Sequence, residues 1–239
     1  MDVLDRVEYK RVDKAEDKKA IFRARYEAYR RDESIPPNEA GMFSDPYDET
    51  PNVWLIGVYI DGVMASTIRL HVASRPQHAL PIIDAFPDKV LPLLERGFVV
   101  IDVSRQTSRV EFVRAYPFLT LLTMRAAFIA EDYFDADYIT AACKPEYQAP
   151  FRRLSGCVNW APIRPYPRLA KPVLLMGHDC KANQHLMRER YAYRDTTPEL
   201  QRSLFSRSST VDRDLHFDLT SGRREREMGA RQNSTTCVA

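Results

Sequence analysis

No apolar run in this chain approaches the roughly 20 residues that a bilayer-spanning helix needs. The N-terminus, Met1-Asp2-Val3-Leu4-Asp5, is charged and lacks the apolar stretch of a signal peptide. The four cysteines, Cys143, Cys157, Cys180 and Cys237, lie far apart and form no CxxC pair. Such use suits a reducing cytosol better than a disulfide framework. The five histidines show no HxxxH or HExxH spacing, so no metal is expected. Charge of one sign is also missing: 35 basic against 33 acidic side chains leave +2, which gives no general field for nucleic acid. Glycine is scarce, and none stands between Gly97 and Gly156. A glycine-rich phosphate cradle is therefore excluded from that stretch. The expectation is a soluble cytoplasmic protein.

What is present is an apolar fraction of 44% in 239 residues, enough for one sizeable core. Glu8 to Val12 reads as a first strand. Asp13, three residues before Glu16, reads as a helix start, and the helix runs to about Arg31, before Pro36-Pro37. Residues 35–52 read as a loop or short helical turn. Val53 to Ile60 and Val63 to Val72 are strands, and Asp61-Gly62 between them signals a hairpin. Residues 74–96, interrupted by proline, read as loop with short helical turns. Phe98 to Ser104 is a buried strand. Leu119, Leu122, Ala126, Ile129, Ala130 and Tyr133 mark one face of a long helix. Asp137 to Ala142 is a strand, Pro145 opens a helix that Gly156 caps, and Val173 to Met176 is the last strand.

This order predicts an α/β fold, a mixed sheet with helices on both faces in three layers, α-β-α. The main domain is expected over residues 1–185. A C-terminal extension follows over 186–220, with short helices at Met187 to Arg194 and Pro198 to Phe205. Residues 221–239 are polar and read as a disordered tail.

Three places hold charge where a core pattern alone would not put it. Asp45-Pro46-Tyr47-Asp48 presents two carboxylates from one loop, although Asp and Pro are also ordinary turn formers. Arg69 alternates with Ile68 and Leu70, so it faces the other side of its strand, and nearby carboxylates would give its guanidinium partners. In Asp102-Val103-Ser104-Arg105, alternation puts Asp102 and Ser104 on one face. An acid at the end of a buried strand is costly unless it is paired or used.

With Arg25 and Tyr29 four apart on the first helix, these pieces resemble the acyl-homoserine-lactone (autoinducer) synthase family and its relatives, the N-acyl amino acid synthases. The resemblance spans about residues 8 to 180 and rests on Arg25, Tyr29, Asp45, Asp48, Arg69, Asp102, Ser104 and Arg105 in that order. Asp102 stands where autoinducer synthases usually carry Glu. Their usual Trp beyond the helix aromatic is replaced by Asp32-Glu33-Ser34-Ile35. The Arg25-Tyr26-Glu27-Ala28-Tyr29 helix and the Asp45-Pro46-Tyr47-Asp48 loop look more like the N-acyl amino acid synthase branch.

The resemblance implies an N-acetyltransferase-like (GNAT) fold and attack of an amine on a fatty acyl thioester, with no permanently bound cofactor. Acetyl-CoA enzymes of that fold carry a Gly-x-Gly/Ala loop after the fourth strand, and Gln106-Thr107-Ser108-Arg109-Val110-Glu111 does not supply it. Acyl carrier protein is then a better donor than acyl-CoA. Arg105, Arg109, Arg114, Lys144, Arg152 and Arg153 could meet its acidic surface. Asp102 is the first candidate to take the amine proton and Asp48 the second, with Ser104 in the same catalytic set. Arg25, Tyr29, Asp45, Arg69 and Arg105 are candidates for acceptor binding, and Arg25 for its carboxylate. An acyl-cysteine route through Cys143 has no neighbouring His in sequence. The alternatives are an autoinducer synthase using S-adenosylmethionine, and an inert binding module of the same fold.

Overall fold

In the computed structural model the described residues are 3–183 and 196–206. The expected helix at Met187 to Arg194 and the expected tail lie outside them. Seven strands form one sheet in the order β1-β2-β3-β4-β5-β7-β6. They are β1 (Val7–Arg11), β2 (Val53–Ile60), β3 (Val63–Ala73), β4 (Val100–Ser108), β5 (Tyr138–Cys143), β6 (Val158–Arg164) and β7 (Val173–Asp179). Six helices accompany them: α1 (Ala15–Arg31), α2 (Pro87–Glu95), α3 (Val110–Ala115), α4 (Leu119–Phe134), α5 (Gln148–Ser155) and α6 (Pro198–Phe205). Every neighbouring pair is antiparallel except β4 and β5, which are parallel and joined through α4. No helix among the described residues is long and apolar enough to cross a membrane.

Period-two alternation assigns each strand's residues to two cores. Trp54, Ile56, Val58, Ile68, Leu70, Val72, Ile101, Val103 and Ile139 face α4 and α6. On that side Trp54 packs edge-on against Phe134 at 5.0 Å and Phe205 at 6.3 Å. Ala73, Val100 and Leu175 face α2, whose Val90 and Leu94 close the opposite core. Val53 and Leu55 receive Ile21 of α1 on this second side. The expected three layers are therefore present, and the polar residues of interest share the α1/α2 face.

The β2–β3 hairpin turns through Asp61 and Gly62, both at positive φ (51° and 76°), as an Asp-Gly turn of the I′ kind requires. Gly156 caps α5 at φ 65°. Four expectations need correction. The α1 N-cap is Lys14 and not Asp13, whose carboxylate instead pairs with Arg11. The loop expected over 74–96 contains α2, in which Pro87 takes the first position and Val90 and Leu94 are drawn into the core despite Pro92. β4 runs to Ser108 because its polar end pairs with β3, Thr107 lying opposite Thr67. β6 was not expected at all. It is the outer strand, where Pro162 is tolerated because one side has no ladder to complete.

Candidate active site

The loop Asp45-Pro46-Tyr47-Asp48 folds on its own side chains. Asp45 caps a 3-10 turn (Pro46–Glu49), accepting from the Tyr47 N–H at 3.1 Å, while Asp48 Oδ2 accepts from the Asp45 N–H at 2.9 Å. The reciprocal pair is a capping box, so the plain turn reading is correct as far as it goes. The remaining lone pairs point inward at three arginines. Arg25 Nη1 donates to Asp48 Oδ1 at 2.7 Å. Arg69 Nη1 donates to Asp45 Oδ1 at 2.6 Å and to Asp48 Oδ1 at 3.0 Å. Arg105 donates to Asp45 Oδ2 through Nη2 at 2.7 Å and Nε at 3.2 Å.

Arg105 reaches this cluster because β4 carries a bulge. Residues 67 and 69 of β3 pair with 107 and 104 of β4, so β4 has one extra residue there, and Arg105 has φ 53°. A bulge turns one side chain back to the face it would otherwise leave. Ser104 and Arg105 both therefore serve the same network, Ser104 Oγ accepting from Arg69 Nε at 3.0 Å. Tyr29 and Phe43, 5.0 Å apart, flank the Arg105 guanidinium at 5.5 and 4.5 Å. Cation–π attraction of this kind holds an arginine flat against its partners.

Three guanidinium groups against two carboxylates leave one surplus positive charge in a buried cluster. Arg25 Nε and Nη2 and Arg69 Nη2 make no hydrogen bond among the described residues. Burial raises both Asp45 and Asp48, but the adjacent arginines outweigh it and hold both carboxyls below the usual range. Arg25, wholly enclosed and beside Arg69, is brought down to about 10 and stays charged at neutral pH.

Asp102 stands apart from the ion pairs. Its Oδ2 accepts the Ile82 N–H at 3.2 Å, and its Oδ1 accepts from Thr140 Oγ1 at 3.4 Å. It is 1% exposed, and that burial pushes its carboxyl up to about 7 against the pull of Arg69. It can therefore gain or lose a proton near neutrality. His71 lies opposite Asp102 on β3. Its Nε2 is 3.0 Å from the Tyr47 carbonyl oxygen, which only accepts, so Nε2 carries the proton. Burial lowers His71 to about 3 and keeps it neutral.

Pairing between β4 and β5 ends at Val103↔Ala141, although β4 continues to Ser108 and β5 to Cys143. The two strands diverge immediately after Val103, the residue that follows Asp102. A backbone edge at such a divergence can present N–H groups to a developing oxyanion.

All eight residues singled out in the sequence thus meet on one face: six in a continuous hydrogen-bonded network, Tyr29 stacked on it and Asp102 beside it. Sequence reasoning missed Phe43, His71, Thr140 and the Ile82 amide. Only His71 carried a signal, since it alternates with Arg69 on β3. Three basic residues expected to meet a carrier protein have partners within the chain: Arg105 is buried against Asp45, Lys144 pairs with Asp32 and Glu146, and Arg109 pairs with Glu111. Cys143 is buried and its thiol is pushed up to about 12, which removes its nucleophilic form.

Three layers around a sheet whose parallel β4–β5 pairing stops at Val103↔Ala141 make a GNAT-like fold. The chain belongs to the FeeM N-acyl amino acid synthase family, whose model matches residues 20–179, more than half of it. Among solved structures it is similar to FeeM, an N-acyl amino acid synthase from uncultured soil microbes, at 14% identity and a TM-score of 0.64. That match covers 77% of this chain and 98% of the other. It is also similar to the acyl-homoserine lactone synthase LasI at 16% identity and TM-score 0.53, over 71% and 87% of the two chains. A third is the CoA-dependent acyl-homoserine lactone synthase BjaI with SAM and isopentyl-CoA, at 16% identity and TM-score 0.52, over 74% and 82%. No curated protein matches in sequence. The chain is an acyltransferase.

Proposed function

We propose that the chain moves a fatty acyl group from an acyl carrier protein thioester to the amine of an amino acid. The observation that carries this reading is the surplus positive charge of the Arg25/Arg69/Arg105 cluster, with guanidinium N–H groups of Arg25 and Arg69 still unpaired. That charge favours an amino acid carboxylate beside Arg105, the least buried of the three, since Arg25 and Arg69 are wholly enclosed. Asp102, about 7, accepts the proton of the attacking ammonium so that the amine can add to the thioester carbonyl. Backbone N–H groups of β4 beyond Val103 receive the oxyanion, and the carrier thiol leaves with a proton. Asp45, Asp48 and Ser104 hold the arginines in place, and Tyr29 braces Arg105.

A carrier protein fits the donor side better than a nucleotide. α3 occupies the turn after β4 where a glycine loop would cradle a pyrophosphate, and it contains no glycine. It exposes Val110 and Val113 between Arg109 and Arg114, and Phe118 follows. That mixed apolar and basic surface suits an acidic helical partner.

The test incubates purified protein with fatty acyl carrier protein and a mixture of free amino acids, then analyses products by mass spectrometry. N-acyl amino acids are expected. Acyl-homoserine lactone formed only with S-adenosylmethionine would replace this reading with the autoinducer one.

A further inference from the structure

On the opposite face of the sheet, three side chains of metal-ligating type converge. Glu131 lies in the last turn of α4, His178 in β7 and Cys180 just beyond it. One ligand atom of each lies within 4.8 Å of the others, and the residues are 3%, 1% and 1% exposed. Their backbones are firmly held. His178 pairs with Ile139 of β5, Cys180 N donates to Asp137 O at 2.9 Å, and Ala136 N donates to Glu131 O at 3.0 Å. Cys180 belongs to the same apolar core as Leu204 and Phe205.

We propose that Glu131, His178 and Cys180 bind one zinc ion that clamps the end of α4 to β7. The ligand set selects the metal. Sulfur, imidazole nitrogen and carboxylate oxygen together suit zinc, whereas calcium and magnesium take oxygen alone. The charges balance as well: one carboxylate, one thiolate and a neutral imidazole offset the two charges of the ion. Binding releases the Cys180 proton to solvent and changes no oxidation state. The sequence hides the site because two ligands, one on β7 and one just past its end, meet the third only through the packing of α4. The sheet separates this cluster from Asp102 and the arginines, so the ion has a structural role.

The untagged full chain, prepared from zinc-replete medium, is washed with a weak chelator and analysed by mass spectrometry for elements. About one zinc per chain is expected, held by three protein ligands with the fourth tetrahedral position left to a water molecule. Cobalt exchange should give a near-ultraviolet sulfur-to-cobalt band. Cys180→Ser should abolish that band and reduce zinc at least tenfold, while Cys143→Ser, in a different cluster, retains both. Stripping the wild type with a strong chelator should lower its melting temperature, and zinc should restore it. That comparison decides the matter if a variant fails to fold. A wild type that carries no zinc and melts at the same temperature with or without it overturns the proposal, as does full zinc content in Cys180→Ser.

Discussion

Ser104 and Arg105 are consecutive residues of a strand, yet both bond into the same ionic cluster: Ser104 Oγ accepts a hydrogen bond from Arg69 Nε, and Arg105 clamps Asp45. Only the bulge allows this, and it holds a non-glycine residue at φ 53°. Arg105→Gly relieves the backbone and loses the ion pair, whereas Arg105→Ala loses the pair and keeps the strain. Arg105→Ala should therefore be the less stable of the two by about 1 kcal/mol. Urea midpoints of the two variants check the order.

Asp48 is the shared acceptor of Arg25 and Arg69, and all three are essentially inaccessible. Asp48→Asn leaves two buried guanidinium groups facing a neutral amide. It should cost about 3–5 kcal/mol, because removing one partner strands the charge of the other. The double variant Asp45→Asn/Asp48→Asn should lose less than the sum of the singles, since Arg69 is common to both. Chemical denaturation of the four proteins gives the cycle.

The pH dependence has opposite signs at the two ends of the site. Asp102 is raised to about 7, so between about pH 4 and 7 the folded chain keeps a proton that the unfolded chain has released. Its contribution to stability falls across that range as pH rises. Asp45 and Asp48 are depressed, so their contribution is present above about pH 4 and is lost as pH falls below it. Asp102→Asn should thus gain stability relative to wild type on going from about pH 5 to about pH 8. In the acyl-transfer assay it should lose about 10²–10⁴-fold in kcat/KM, together with the rise in rate near pH 7. An unchanged pH–rate profile in Asp102→Asn would remove it from proton transfer.

α6 packs Phe205 against Trp54, Tyr133 and Phe134. Phe205→Ala should cost about 3–5 kcal/mol through the cavity it opens, although the residue lies far from the ion cluster in sequence. A lowered melting temperature with KM unchanged is the expected pattern.

How far the sequence disclosed this structure depends on how local each cause was. Asp61-Gly62 specified the hairpin through two adjacent residues, and the α4 face was readable from its own spacing. The site was readable because unusual charges recur in order, from Arg25 to Arg105. The bulge was not, because no glycine marks Arg105. Nor were α2 and β6, where Pro92 and Pro162 speak against regular structure and packing against the α2 core or an outer position overrides them. The Ile82 amide that holds Asp102 belongs to a 3-10 turn (Pro81–Asp84) that no chemistry of Ile82 itself announces.

The parallel seam between β4 and β5 also divides the site by sequence. β1 to β4 are joined antiparallel, neighbour to neighbour, and the whole ion cluster lies among the first 105 residues. The contact between Asp102 and Thr140 spans 38 positions and waits for α4 to cross over. A growing chain can therefore assemble its arginine cluster before Asp102 is enclosed. Burial raises the affinity of that carboxyl for a proton, and the second half of the sheet is part of what encloses it.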